Sequence, residues 1–134
     1  LIPVKTGLSS TFNLNDRERV PNIGFRWEGS IFLTTSGNYA FFTRSDDGST
    51  LWINGTRVVN NDFNQSMTER SGTINLSSGK HDIVVYYRNN SNTSLGLEVR
   101  YQGPGISKRI IPSSNFVEDE VNATTLPLPP PPIA

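Results

Sequence analysis

Ser45-Asp46-Asp47-Gly48-Ser49-Thr50-Leu51-Trp52-Ile53-Asn54-Gly55-Thr56-Arg57-Val58-Val59 is the stretch that decides the fold. Asn54-Gly55 separates two short apolar runs, Thr50–Ile53 and Arg57–Val59. A type I′ hairpin turn needs two residues that tolerate positive φ, and Asn-Gly meets that need. Successive side chains on a strand face opposite ways, so in Leu51-Trp52-Ile53 either the indole or its two neighbours lie in a core. Trp52 is therefore either a packing residue or a ring presented to a ligand.

Outward from this hairpin the pattern repeats. Further strands are expected at Ser30–Thr34, Tyr39–Arg44, Thr73–Leu76, His81–Tyr87, Leu95–Tyr101 and Lys108–Ile111. Turn residues punctuate them: Ser36-Gly37-Asn38, Asp46-Asp47-Gly48, Ser78-Gly79 and Gly103-Pro104-Gly105. In Leu95-Gly96-Leu97-Glu98-Val99-Arg100-Tyr101 the odd positions are apolar, which buries one face. Almost nothing recurs at helical period, and there is no internal repeat. Short strands at this spacing predict an all-β protein, an antiparallel β-sandwich.

A chain of 134 residues holds one such domain. Residues 1–117 are expected to form it. Beyond them come Glu118-Asp119-Glu120 and then Thr124-Thr125-Leu126-Pro127-Leu128-Pro129-Pro130-Pro131-Pro132, so 118–134 reads as an acidic and then proline-rich spacer outside any ladder, leading to a further domain. The first residue is Leu1, so the chain reads as a piece cut from a longer protein, and a signal peptide could have been lost with the cut.

Twelve Lys and Arg balance twelve Asp and Glu, which removes the electrostatic footprint of a nucleic-acid binder. With 15 serines, 12 threonines and 14 asparagines the surface is polar without charge, which suits neutral ligands. No apolar run approaches a membrane span, so no membrane insertion is expected. Cysteine is absent, which excludes disulfides and thiolate chemistry. Enzyme chemistry finds little support. Neighbouring aspartates in one turn do not straddle a glycosidic bond, and no nucleophile elbow, Walker loop or dinucleotide fingerprint occurs. His81, the single histidine, follows a Gly-Lys turn at a strand start and is read as structural.

Asp46 and Asp47 admit two readings. Asp-Gly between apolar runs is ordinary turn chemistry. Two carboxylates also offer up to four hard oxygens, of the kind Ca²⁺ takes at about 2.3–2.6 Å, although both can reach one ion only across an unusual backbone. A second polar loop, Arg88-Asn89-Asn90-Ser91-Asn92-Thr93-Ser94, supplies amide and carbonyl oxygens. It also contains two of six sequons, at Asn54, Asn64, Asn75, Asn89, Asn92 and Asn122.

Taken in order, Gly24-Phe25-Arg26-Trp27-Glu28-Gly29, Ser36-Gly37-Asn38-Tyr39-Ala40-Phe41, Ser45 to Gly55, Leu76-Ser77-Ser78-Gly79-Lys80-His81, Val85-Tyr86-Tyr87 and Tyr101-Gln102-Gly103-Pro104-Gly105 resemble the PA-fourteen domain, the carbohydrate-binding β-sandwich module named after anthrax protective antigen. The likeness covers residues 7–116. It implies a lectin-like, polysaccharide-binding module of a cell-surface adhesin, sensor or secreted protein, in which adjacent aspartates joined by a cis peptide and an asparagine of a second loop hold Ca²⁺. Here those residues are Asp46, Asp47 and Asn89, with Asn90 a near alternative. The candidate sugar contacts are then Asp46, Asp47, Asn89, Asn90, Ser91 and Asn92, together with Tyr87, one residue before the second loop, and Trp52 if its ring faces a ligand. Trp27 matches a position that is structural in the family. The chain lacks the cysteine bridges of fungal adhesins and has no aromatic residue in the second loop, so no sugar preference carries over. The expected partner is a glycan bound by an extracellular, monomeric domain. The competing expectation is a structural or protein-interaction sandwich in which the aspartates form only a turn.

Overall fold

The computed structural model describes residues 5–9, 23–89, 96–116 and 121–127, with side chains for 24–89 and 96–116. Its strands are β1 (Lys5–Ser9), β2 (Ile23–Leu33), β3 (Gly37–Asp46), β4 (Gly48–Ile53), β5 (Thr56–Asn61), β6 (Thr68–Leu76), β7 (Gly79–Asn89), β8 (Gly96–Gly103), β9 (Ile106–Ile110) and β10 (Val121–Pro127). They form two sheets, ordered β1-β10-β2-β7-β4-β5 and β6-β3-β8-β9. Every pairing is antiparallel. The described residues hold no α-helix, only a 3₁₀ turn at Ser113–Asn115. The expected antiparallel sandwich is the fold.

Period-two patterning explains the core. Phe25, Trp27, Ile31 and Leu33 of β2, Leu51 and Ile53 of β4, and Ile83, Val85 and Tyr87 of β7 point inward from the large sheet. Tyr39 and Phe41 of β3 and Val99 and Tyr101 of β8 meet them from the small one. Phe25 and Trp27 stack with ring centroids 5.2 Å apart. Because Leu51 and Ile53 face inward, Trp52 faces outward and is half-buried.

The turns behave as their residues dictate. Asn54 and Gly55 both take positive φ, 50° and 81°. The Asn54 amide nitrogen bonds His81 Nδ1 at 2.9 Å, its Oδ1 accepts from the Asp82 amide at 2.9 Å, and His81 Nε2 donates to the Ser77 carbonyl at 2.7 Å. His81 is structural.

One boundary differs from the sequence reading. The spacer was expected from residue 118, yet Val121–Pro127 form β10, inserted between β1 and β2. Its register sets Asn122 against Glu28 and Pro127 against Ile23. The segment Val121-Asn122-Ala123-Thr124-Thr125-Leu126 is compatible with an extended strand, and proline enters only at the last residue of β10. Pro129–Pro132 lie outside the described residues.

Candidate functional site

β3 belongs to the small sheet and β4 to the large one, so the chain crosses between layers at Asp46-Asp47. The Asp46–Asp47 peptide is cis. Burial, the neighbouring Asp47 charge and a hydrogen bond between the two carboxyls, in that order, push the Asp46 carboxyl above its ordinary range. Burial first, and then the charges of both aspartates, also raise the Tyr87 phenol, despite hydrogen bonds from Asn89 and Gly96 that act the other way. The crossover is a place of concentrated negative potential.

Three residues hold the crossover's backbone. The Tyr87 hydroxyl donates to the Asp46 carbonyl at 2.5 Å. The Asn89 amide nitrogen donates to the same carbonyl and to the Tyr87 oxygen, each at 3.1 Å. From the other side the Gln65 backbone amide donates to Asp47 Oδ1 at 3.1 Å, and its side-chain nitrogen donates to the carbonyls of Asp47 at 3.2 Å and Ser45 at 3.3 Å. Beneath lies a buried polar cluster. Ser45 and Ser49 share a 2.7 Å bond, Ser49 donates to Thr43 Oγ1 at 2.9 Å, and Asn61 donates to the carbonyls of Thr43 and Thr68. Buried polar groups satisfied in this way fix one arrangement of the backbone above them.

Asp46, Asp47, Asn89 and Tyr87 are thus brought together. Asn89 and Tyr87 are both buried, and Tyr87 contacts the turn's backbone. Trp52 stands apart, on the outer face of the large sheet. Asn90, Ser91 and Asn92 lie outside the described residues. Sequence reasoning missed Gln65, Asn61, Thr43, Ser45 and Ser49. Thr43 and Ser45 share the parity of Tyr39 and Phe41, so polar residues on the core face of β3 were a legible signal; Gln65 had none.

Among the described residues no third His, Cys, Asp or Glu joins the aspartates. A cation here would complete its shell with neutral oxygens, from an amide, carbonyls or water. That hard-oxygen donor set fits Ca²⁺, whereas the nitrogen and sulfur ligands preferred by Zn²⁺ are missing from it.

Known proteins share this architecture. The chain is 34% identical over 92 residues to the anti-sigma-I factor RsgI3 of Acetivibrio thermocellus, a match that covers 68% of the chain but 14% of that protein. Among solved structures, an anti-sigma factor domain-containing protein is 33% identical with a TM-score of 0.66, over 69% of this chain and 32% of that one. A PA14 sugar-binding domain from an RTX adhesin has the same fold, at 24% identity and a TM-score of 0.64, over 75% of this chain and 57% of its own. The family model described as the PA14 domain matches residues 6–115, and the chain belongs to that family, the PA-fourteen domains.

Proposed function

We propose that this domain is a non-catalytic, calcium-dependent glycan-binding module. Asp46 and Asp47 supply the charge that holds the ion, and Asn89 contributes from the end of β7. The ion's open positions take vicinal hydroxyls of a sugar. The observation that carries this reading is the mutual approach of two carboxylates on a turn whose backbone is held by Tyr87, Asn89 and Gln65. Like charges so placed disfavour their joint ionisation, and a divalent cation between them removes that cost. The sugar-binding description of the RTX adhesin domain supports the same reading. The anti-sigma descriptions of the other relatives suit an extracellular sensing module that reports a glycan to the rest of its protein. Calorimetry of chelator-stripped protein with Ca²⁺, followed by a glycan array with and without Ca²⁺, tests it. Absence of both calcium heat and calcium-dependent glycan signal leaves the aspartates as a turn and favours the structural or protein-interaction role.

A further inference from the structure

A groove of about 400 Å³ opens on the outer face of the large sheet, within the size range of small-molecule sites. It begins at Gly48, the residue after Asp47, and reaches Trp52, about 13 Å along β4 at the usual rise per residue. Arg88 stands in the ladder between Gly24 and Gly48, so no side chain rises on either side of it. A Cβ on Gly48 would lie 2.4 Å from Asp62 Oδ1 and 3.1 Å from Arg88 Nε, which shows how closely the Arg88–Asp62 ion pair covers that glycine. Trp52 and Tyr86 form the far walls, with the indole N–H donating to Thr50 Oγ1 at 3.1 Å.

The charges here are unevenly matched. Arg88 is occupied by Asp62 and by Asn64 at 2.8 Å, and Arg26, beside Tyr86, by Glu28 at 2.6 Å. Arg57 sits opposite Trp52 in the β4–β5 ladder, lines the groove and is exposed, and its guanidinium has no hydrogen-bond or ion-pair partner among the described residues. A planar guanidinium and an indole lining one groove from paired strand positions match a ring with a carboxylate on its edge: the apolar ring face would lie on Trp52 and the carboxylate would take the forked N–H groups.

We propose that this groove is a second subsite, for a uronic-acid residue, so that the domain binds an acidic oligosaccharide whose chain runs from the aspartate pair to Trp52 and Arg57. The inference rests on the glycan-binding reading above, and one pyranose ring at the aspartates is too short to reach Trp52.

The test is calorimetric titration of tetramers of galacturonic and of glucuronic acid, each beside its carboxyl-reduced counterpart. Heats from calcium binding to the tetramer alone are subtracted. Wild-type protein is expected to favour one acidic tetramer over its reduced form by about tenfold, the worth of one charge-assisted pair. Arg57→Gln should erase that preference and leave the heat of calcium binding and the melting temperature unchanged; Trp52→Ala should weaken acidic and reduced forms alike and leave the heat of calcium binding unchanged. Equal binding of acidic and reduced tetramers by the wild type, or an unaltered preference in Arg57→Gln, overturns the groove. Tetramer binding lost in Asp47→Asn yet unaffected by Trp52→Ala and Arg57→Gln overturns the groove and keeps the calcium site. Tetramer binding undiminished in Asp47→Asn, with the preference kept, supports the groove and overturns the calcium reading. Absence of binding by every tetramer overturns the inference, and a calcium-dependent array signal then shows whether the reading beneath it survives.

Discussion

The hydroxyl of Tyr87 is donated to the carbonyl oxygen of Asp46 at 2.5 Å, and the same phenolic oxygen accepts from the Asn89 side chain at 3.1 Å and from the Gly96 amide at 3.3 Å. One atom of β7 thereby ties together the end of β3, the start of β8 and the residue proposed to complete the ion's protein ligands.

Tyr87→Phe keeps the ring in the core and removes that atom. Stability should fall by about 1–3 kcal/mol, the cost of leaving buried partners unsatisfied, as read by denaturant unfolding. Calcium affinity should fall with it, because Asp46 loses its support. A variant that binds calcium normally but loses glycan affinity would instead place the phenol against the sugar.

Asp46 gives a pH dependence of definite sign. Its carboxyl lies above the ordinary value in the folded state, through burial and the Asp47 charge. Between the two values the native state binds more protons than the unfolded one, so its stabilising contribution is present at low pH and is lost as pH rises through the folded value. Glu28 and Glu98, lowered by hydrogen bonds from Arg26 and Arg100 respectively, act oppositely, their contribution being lost as pH falls. The difference between wild type and Asp46→Asn isolates the aspartate. In metal-free solution the variant should gain relative stability as pH rises through the carboxylate range. At calcium 100 times the dissociation constant the order should reverse, with wild type gaining about 2.7 kcal/mol. Thermal melts across pH, with chelator and with calcium, measure both.

At Gly72, β6 lies directly against the backbone of β5. A Cβ there would fall 1.8 Å from the Val58 carbonyl oxygen and 2.8 Å from its carbon, both backbone atoms. Gly72→Ala should therefore force the edges of the two sheets apart and cost about 1–3 kcal/mol or more, seen as a lowered denaturant midpoint. Gly55→Ala offers a contrast: it meets nothing within 4 Å, and its cost comes from a φ of 81°.

Truncation separates strand from tail. Removal of 128–134 should leave the melting temperature unchanged, whereas removal of 121–134 takes β10 from between β1 and β2 and should lower it by several degrees. Equal melting of the two truncated chains would show that β10 contributes nothing.

The strands were legible because their signal is local. Leu51 and Ile53 bury what alternation said they would, and Asn54-Gly55 turns as its residue types require. What escaped was non-local. Nothing near Thr124-Thr125-Leu126-Pro127 announces that Phe25 and Arg26 will pair with it, so adjacent prolines dominated the reading. The aspartates stood out as a pair, but their supports come from 18 residues away in Gln65 and 41 in Tyr87. The sequence offered Tyr87 as a sugar contact; the folded chain buries its ring and sends its hydroxyl to the Asp46 carbonyl.

The row Pro127, Ile23, Asn89 lies at the same end of the large sheet as the aspartate crossover. A pull on the residues after Pro127 acts on β10, whose seven residues are held by ladders to β1 and β2. Set against a load point on that same rim, such a pull opens β10 from Pro127 inward, one cross-strand bond at a time, as in peeling and not in shear. Tension between a ligand held at the aspartate turn and the chain beyond Pro127 would cross the β10–β2–β7 strands at that one rim.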